Sequence, residues 1–222
     1  MPRKKLIRTN KYPYHITTRS NNKDWFGLPL EESWQISIAC FKYASRFYNV
    51  NLHAYVLMNN HYHLLISTPE SNIDSYMQCF NKKFSDFLKR KTGCINKKFG
   101  GRYKWTIINE QRYLLNVYRY VYQNPVRANI VKRVEDYPYS TLYYILNEKK
   151  FIQNIDSLLN FKRCDNLKWL NERFLNKDIN TIKRGFHSSL FSIKPQRDSK
   201  YIPNLSLPNT QLLSQSAQER GT

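Results

Sequence analysis

The sequence predicts an α+β fold: a ferredoxin-like antiparallel sheet with packed helices, one added helix carrying Tyr120, and a helical C-terminal extension. Three observations predict it. Short strand-like runs near residues 12–19, 54–66 and 103–109 alternate with longer segments whose apolar residues recur at helical spacing. Their order, β-α-β-β-α-β-α, is what such a sheet with one further helix requires. Past residue 147, Ile152, Leu158, Leu159, Trp169, Leu170 and Phe174 punctuate a polar stretch in a way that suits two short helices.

The first strand spans about 12–19 and runs into a polar loop at 20–24. A helix over about 30–48 offers Trp34, Ile38, Phe41 and Phe47 to the core. The run 54–66 reads as two apolar strands joined at Asn59-Asn60, where asparagine suits the positive φ of a tight hairpin. Side chains alternate along a strand, so His61 and His63 share one face while Tyr62 and Leu64 take the other. Two imidazoles side by side on a rigid strand can grip one divalent cation, although a lone His-x-His is more often structural. Pro69-Glu70-Ser71-Asn72 then breaks the chain and offers a cap for a helix over 73–91.

After the strand near 103–109, residues 110–124 precede Pro125 and read as a helix. Leu114, Val117, Tyr118, Val121 and Tyr122 gather on one side, and Arg112, Asn116, Arg119, Tyr120, Gln123 and Asn124 on the other. Tyr120 and Asn124 lie one turn apart on the polar side and are neighbours. A phenol beside an amide oxygen, facing paired histidines, has the makings of a nucleophile at a metal site; the bland alternative is a surface tyrosine on an amphipathic helix.

Composition points to a nucleic-acid partner. The chain carries 36 Lys plus Arg against 16 Asp plus Glu, a formal net charge of +20. Such a chain is drawn to phosphate by counterion release. Cations crowd residues 82–104, and Phe80, Phe84 and Phe87, before and within that stretch, keep the helical spacing of core residues. The loop Lys97-Lys98-Phe99-Gly100-Gly101-Arg102 is expected to contact DNA, with glycines letting the backbone approach a phosphate and cations on both sides. Lys104 and Arg119 join that expected surface, and Arg3, Lys4 and Lys5, with Arg8 nearby, form a second basic patch.

Four scattered cysteines, Cys40, Cys79, Cys94 and Cys164, contain no Cys-x-x-Cys spacing, which argues against structural zinc and for reduced thiols in a cytoplasmic protein. No apolar run follows the basic start as a signal peptide would require, and no segment reaches the roughly 20 apolar residues of a membrane span. From about residue 194, Pro, Ser, Asn and Gln dominate, and the tail reads as disordered. The expected organisation is a catalytic domain over 1–146, a helical extension over 147–193 and a tail over 194–222.

Taken together, the motifs resemble a known family. His61-Tyr62-His63, then Gly101-Arg102-Tyr103-Lys104, then Tyr120-Val-Tyr-Gln-Asn-Pro-Val-Arg-Ala128 are similar, in order, to the IS200-like tyrosine transposases. The REP-associated branch is the nearest, because Tyr137-Pro138-Tyr139-Ser140-Thr141 also matches it, and Tyr14-His15-Ile16-Thr17-Thr18-Arg19 resembles the family's first strand. The resemblance covers about residues 10–145. It implies a single-stranded DNA endonuclease and strand transferase, with Tyr120 as nucleophile and His61, His63 and Asn124 as ligands of Mg²⁺ or Mn²⁺. Asn124 stands where the insertion-sequence branch usually carries Gln, which agrees with the REP-associated branch. Tyr120 would attack the scissile phosphorus, expel the 3′-OH and leave a 5′-phosphotyrosine linkage. The partner implied is single-stranded or hairpin DNA in the nucleoid, met by a monomer or homodimer.

Rival readings come from other classes. A catalytically silent or regulatory DNA-binding protein could keep the fold and the basic surface. An RNA-binding module would stack bases on exposed sheet aromatics, and a phosphohydrolase would use water in place of Tyr120.

Overall fold

The computed structural model describes residues 4–96, 98–151, 155–161, 164–193 and 205–207. The elements are β1 (Tyr14–Arg19), α1 (Leu30–Ala44), β2 (Asn51–Leu57), β3 (His61–Ser67), α2 (Ile73–Thr92), β4 (Lys104–Ile107), α3 (Gln111–Tyr122), α4 (Asn124–Arg127), α5 (Thr141–Leu146), α6 (Cys164–Asn171) and α7 (Asn176–Gly185). The four strands form one antiparallel sheet in the order β2-β3-β1-β4. This is the α+β, ferredoxin-like arrangement that the sequence predicts.

Strand alternation divides the sheet into two faces. Tyr14, Ile16, Tyr62, Leu64, Ile66, Trp105 and Ile107 join the core under α1 and α2. That core is closed by Trp34, Ile38 and Phe41 from α1 and by Tyr76, Phe80, Phe84 and Leu88 from α2, which recur every four residues and are all buried. Gly93, at φ +68°, ends α2 in the left-handed region that a glycine enters without a Cβ penalty. On the opposite face, Ala54, Val56 and Leu65 meet Val117, Tyr118 and Val121 of α3 in a second apolar cluster.

The segment Tyr137-Pro138-Tyr139-Ser140-Thr141 ties α3 to the outer strand. Leu57 N donates to Tyr139 O at 3.0 Å, Tyr137 Oη to Leu57 O at 2.6 Å, and Tyr55 N to Thr141 Oγ1 at 2.9 Å. The Tyr122 hydroxyl shares a hydrogen bond with Thr141 Oγ1 at 2.8 Å. Ser140 caps α5 by accepting from Tyr143 N.

Several local expectations are corrected. Neither Asn59 nor Asn60 has a positive φ. Their value lies in contacts: Phe26 N donates to Asn59 O and Ser20 N to Asn60 O, while Asn60 Nδ2 donates to Lys23 O. Phe47 is 61% exposed, because α1 stops at Ala44 and the next turn carries it away from the sheet. Asn72 does not cap α2 with its side chain, which donates to Glu70 instead.

The largest correction concerns α3. Apart from the exposed Arg112, its polar side is not a surface, for Asn116, Arg119, Tyr120, Gln123 and Asn124 are all buried. Residues beyond 155 cover it: Gln123 Nε2 donates to the carbonyls of Leu170 (2.7 Å) and Glu172 (2.6 Å), and Arg119 lies over the rings of Trp169 and Phe174. The two expected C-terminal helices are α6 and α7. The tail read as disordered lies outside the described residues except for 205–207, where Leu205 packs on the second cluster. Among the described residues, no helix is long and apolar enough to cross a membrane.

Candidate active site

The face of β3 opposite α1 and α2 carries His61 and His63, with ring centroids 5.2 Å apart and nearly perpendicular planes. Register places Thr17 opposite His63 and Arg19 opposite His61, so β1 lends His15, Thr17 and Arg19 to the same face. Tyr120 of α3 descends onto this face. Its ring centroid lies 5.8 Å from that of His63 and 6.2 Å from that of His15, edge-on to both. Histidines and tyrosine thus meet within one chain.

Hydrogen bonds orient both imidazoles. Asn60 Nδ2 is committed to Lys23 O, so Asn60 Oδ1 faces His61 Nδ1 at 2.7 Å and can only accept. His61 therefore carries its proton on Nδ1 and keeps the Nε2 lone pair. His63 Nδ1 lies 3.0 Å from His15 Nε2. When His63 donates there, its own Nε2 is likewise a free lone pair. Burial pushes His15 down to about 3 and, with the charge of Arg19 adding to burial, His61 down to about 4. Burial, then His15, His61, Arg127 and Arg19, holds His63 well below its ordinary value. All three rings are neutral at physiological pH, the state in which an imidazole can bind a metal.

Asn124 lies where α3 gives way to α4. Its Nδ2 donates to the carbonyls of Tyr120 at 2.8 Å and Val121 at 3.2 Å, which leaves its amide oxygen to the cleft that it lines. Two imidazole nitrogens and one amide oxygen, all neutral, form a donor set that suits a divalent cation whose other ligands are oxygens. Among the described residues, no three His, Cys, Asp or Glu side chains form a metal cage; the third candidate donor is an amide.

The cleft around these groups has a volume of about 350 Å³. Arg19, Lys104, Arg127 and Lys183 line it, and no Asp or Glu does. The Arg127 guanidinium stands 4.8 Å above the Tyr120 ring, and its Nη1 is buried without a hydrogen-bond partner. Phe186, just past α7, stacks on His15 at 4.0 Å and meets the Tyr120 ring at 5.1 Å, closing the site from the C-terminal side. Four cations without a carboxylate among the lining residues, beside neutral imidazoles and a phenol, favour an anionic ligand.

The structure thus brings Tyr120, His61, His63, Asn124 and Lys104 together. The other expected DNA contacts lie elsewhere. Arg119 corrects the expectation of a DNA-binding cation: it is 3% exposed and bonded to Glu172 and Ser206. Lys4 is turned inward, donating to Trp105 O at 2.5 Å and Ser188 O at 2.8 Å. Arg102 is exposed on the α2 side of the sheet, and Lys5 is exposed near the start of the chain. Lys98 is half-buried, with its backbone held by Asn21 and Ser85. Arg3 and Lys97 lie outside the described residues.

Sequence reasoning missed His15, Arg19, Arg127, Lys183 and Phe186. Alternation along β1 and the spacing from Asn124 carried a signal for the first three. Nothing local marks Lys183 or Phe186, which reach the site only through the packing of α7.

A family model described as "Transposase IS200 like" matches residues 9–124. Among solved structures, the chain is similar to a REP-associated tyrosine transposase bound to a REP hairpin. The two are 19% identical with a TM-score of 0.56, over 79% of this chain and 100% of that one. A second structure, of a protein described as a transposase from Deinococcus radiodurans, is 12% identical with a TM-score of 0.37, over 55% of this chain and 94% of that one. The first likeness is one of fold. No curated protein matches the chain.

Proposed function

The chain belongs to the IS200-like transposases, and from that premise we propose that it is a metal-dependent single-stranded DNA endonuclease and strand transferase working through a 5′-phosphotyrosine intermediate. The observation that carries this reading is the meeting of Tyr120 with His61, His63 and Asn124 in a cleft lined by four cations and no carboxylate.

His61 and His63, through Nε2, and Asn124, through its amide oxygen, would hold Mg²⁺ or Mn²⁺. When bound, the cation supplies Lewis-acid polarisation of the scissile phosphate. Arg19, Lys104, Arg127 and Lys183 hold the phosphate and its neighbours and offset the charge that gathers on the nonbridging oxygens. The Tyr120 oxygen attacks phosphorus. The bond from phosphorus to O3′ breaks, the 3′-OH departs with a proton, and the phenol proton passes to solvent. The phosphotyrosine ester keeps the phosphodiester energy, so a 3′-OH can later attack it and rejoin the strand. Phe186 keeps bulk water from one side of the Tyr120 ring.

Asn124 and the fold shared with a REP-associated transposase support that branch, and with it a single-stranded or hairpin DNA substrate. Tyr120 meets the histidines of its own chain, which supports cleavage in cis by a monomer. Lys5, Lys98 and Arg102 would extend the basic surface over the rest of the DNA.

The test is incubation with labelled hairpin oligonucleotides from the gene's own flanks, with Mg²⁺, Mn²⁺ or EDTA, and a denaturing protein gel. The expected result is a slower-migrating protein–DNA adduct that needs the metal and disappears in Tyr120→Phe. Cleavage without an adduct that survives Tyr120→Phe would replace this reading with a hydrolase that uses water.

A further inference from the structure

A second groove, of about 470 Å³, adjoins the catalytic cleft and shares Arg127 and Lys183 with it. We propose that this groove, between the end of α4 and the outer face of α7, is a binding track for the single-stranded nucleotides next to the scissile phosphate. The proposal rests on the transposase reading above and assigns the C-terminal extension a part in holding substrate.

Three features support it. First, the groove is lined by Arg127, Arg173 and Lys183 and by Asn129, Asn176 and Asn180, with no carboxylate among its lining residues. Among the described residues, none of those three cations forms an ion pair. Cations on both sides of an open groove supply the sequence-independent attraction that a strand's phosphates need. Second, the asparagines offer paired donors and acceptors at the groove wall. Asn176, Asn180 and Lys183 follow at four- and three-residue spacing on one exposed face of α7, and Asn129 faces them from beyond α4. Amides can bond to the exposed edges of unpaired bases, whereas a duplex hides those edges in base pairs.

Third, the two shared cations stand uncompensated at the junction. Arg127 has a buried Nη1 without a partner. The Lys183 ammonium is pushed below its ordinary value by burial and then by Arg127 and Arg19. Crowded like charges at the join of two clefts call for an anion that runs through both. The phosphodiester backbone of a single strand supplies one continuously, whereas a single phosphate in the catalytic cleft would leave Arg173 and the asparagines without a ligand.

The test uses the full chain in a Tyr120→Phe background, so that binding is read without cleavage. The probe is a fluorescein-labelled 30-residue oligothymidylate, followed by anisotropy across a salt series. Arg173→Glu and Asn180→Asp alter groove residues that do not line the catalytic cleft. Lys42→Glu on α1, across the sheet, is the charge control: it reverses one charge, as Arg173→Glu does, and exceeds the single negative charge that Asn180→Asp adds.

The expected result is a loss of affinity of at least fivefold for each groove variant beyond that of Lys42→Glu. Arg173→Glu should also flatten the plot of log K against log salt by about 0.7 per lost phosphate contact. Losses equal to that of Lys42→Glu, with thermal unfolding unchanged, would overturn the track and reduce the effect to net charge. A larger loss for a duplex of the same length than for the single strand would also overturn it, in favour of a duplex site. The adduct assay on the chain with Tyr120 restored reports separately on the catalytic reading, so either proposal can fail while the other stands.

Discussion

His15 and His63 face each other across neighbouring strands, with Nε2 of the first 3.0 Å from Nδ1 of the second. The pair is buried, and its single shared proton decides whether Nε2 of His63 meets the cleft as a lone pair or as an N–H. His15 is thus a positioning residue for the proposed metal site. Replacing it by Ala removes the acceptor that orients His63. Loss of such a partner costs about 10–100-fold in metal affinity. His15→Ala should raise the Mn²⁺ concentration for half-maximal adduct formation by that factor, with the circular dichroism spectrum retained.

Asn60 does the same for His61 by accepting from Nδ1 at 2.7 Å. Asn60→Asp keeps the acceptor and Asn60→Leu removes it. Titration of adduct yield against Mn²⁺ should therefore rank wild type and Asn60→Asp well ahead of Asn60→Leu. Equal midpoints for the two variants would show that the hairpin carbonyls alone orient the ring.

Arg119 is a clamp between α3 and the C-terminal segment. It is 3% exposed, its guanidinium lies 3.8 Å from the Phe174 ring centroid and 4.7 Å from that of Trp169, and burial pushes it down to about 10. Its partner Glu172 is 58% exposed at the side chain, so the ion pair itself adds little, and packing of the stem and cation dominates. Arg119→Ala should lower stability by about 2–3 kcal/mol in urea unfolding. Lys at the same position should recover only part of that, because an ammonium does not stack as a planar guanidinium does.

The cysteines should divide by burial. Cys94 and Cys164 are exposed, Cys79 is half-buried, and burial pushes the fully enclosed Cys40 thiol up to about 12. A thiolate is the reactive form. In the native protein at pH 8, a disulfide reagent should label Cys94 and Cys164 within minutes and Cys79 more slowly. Cys40 should react only after denaturant is added.

The sheet was legible because its signals are local. Alternation in Tyr14–Arg19 and His61–Ser67 fixed which side chains share a face, and the i, i+4 aromatics of α2 fixed its buried side. The residues proposed for catalysis, on β3 and α3, were picked out by the same periodicities joined to a family resemblance, and they line one cleft. What failed was long-range. Arg119 and Gln123 read as surface residues because they are polar, and they are buried because α6 and the segment after it, some fifty residues downstream, supply their partners. Lys183 and Phe186 reach the cleft by the same packing, which no local pattern encodes. Asn59 and Asn60 occupy a hairpin for the bonds that both backbone carbonyls and the Asn60 side chain make to loop 20–26, a relationship invisible before the strands pair.

The most direct measurement is mass spectrometry of the covalent complex after nuclease trimming and trypsin digestion. The chain holds 17 tyrosines, and Tyr120 and Tyr122 fall in one peptide, 120–127, that fragment ions can separate. The expected product is a nucleotide attached through its 5′ phosphate to Tyr120 alone. A nucleotide on Tyr122 or any other tyrosine, or cleaved DNA with an unmodified 120–127 peptide, would contradict it.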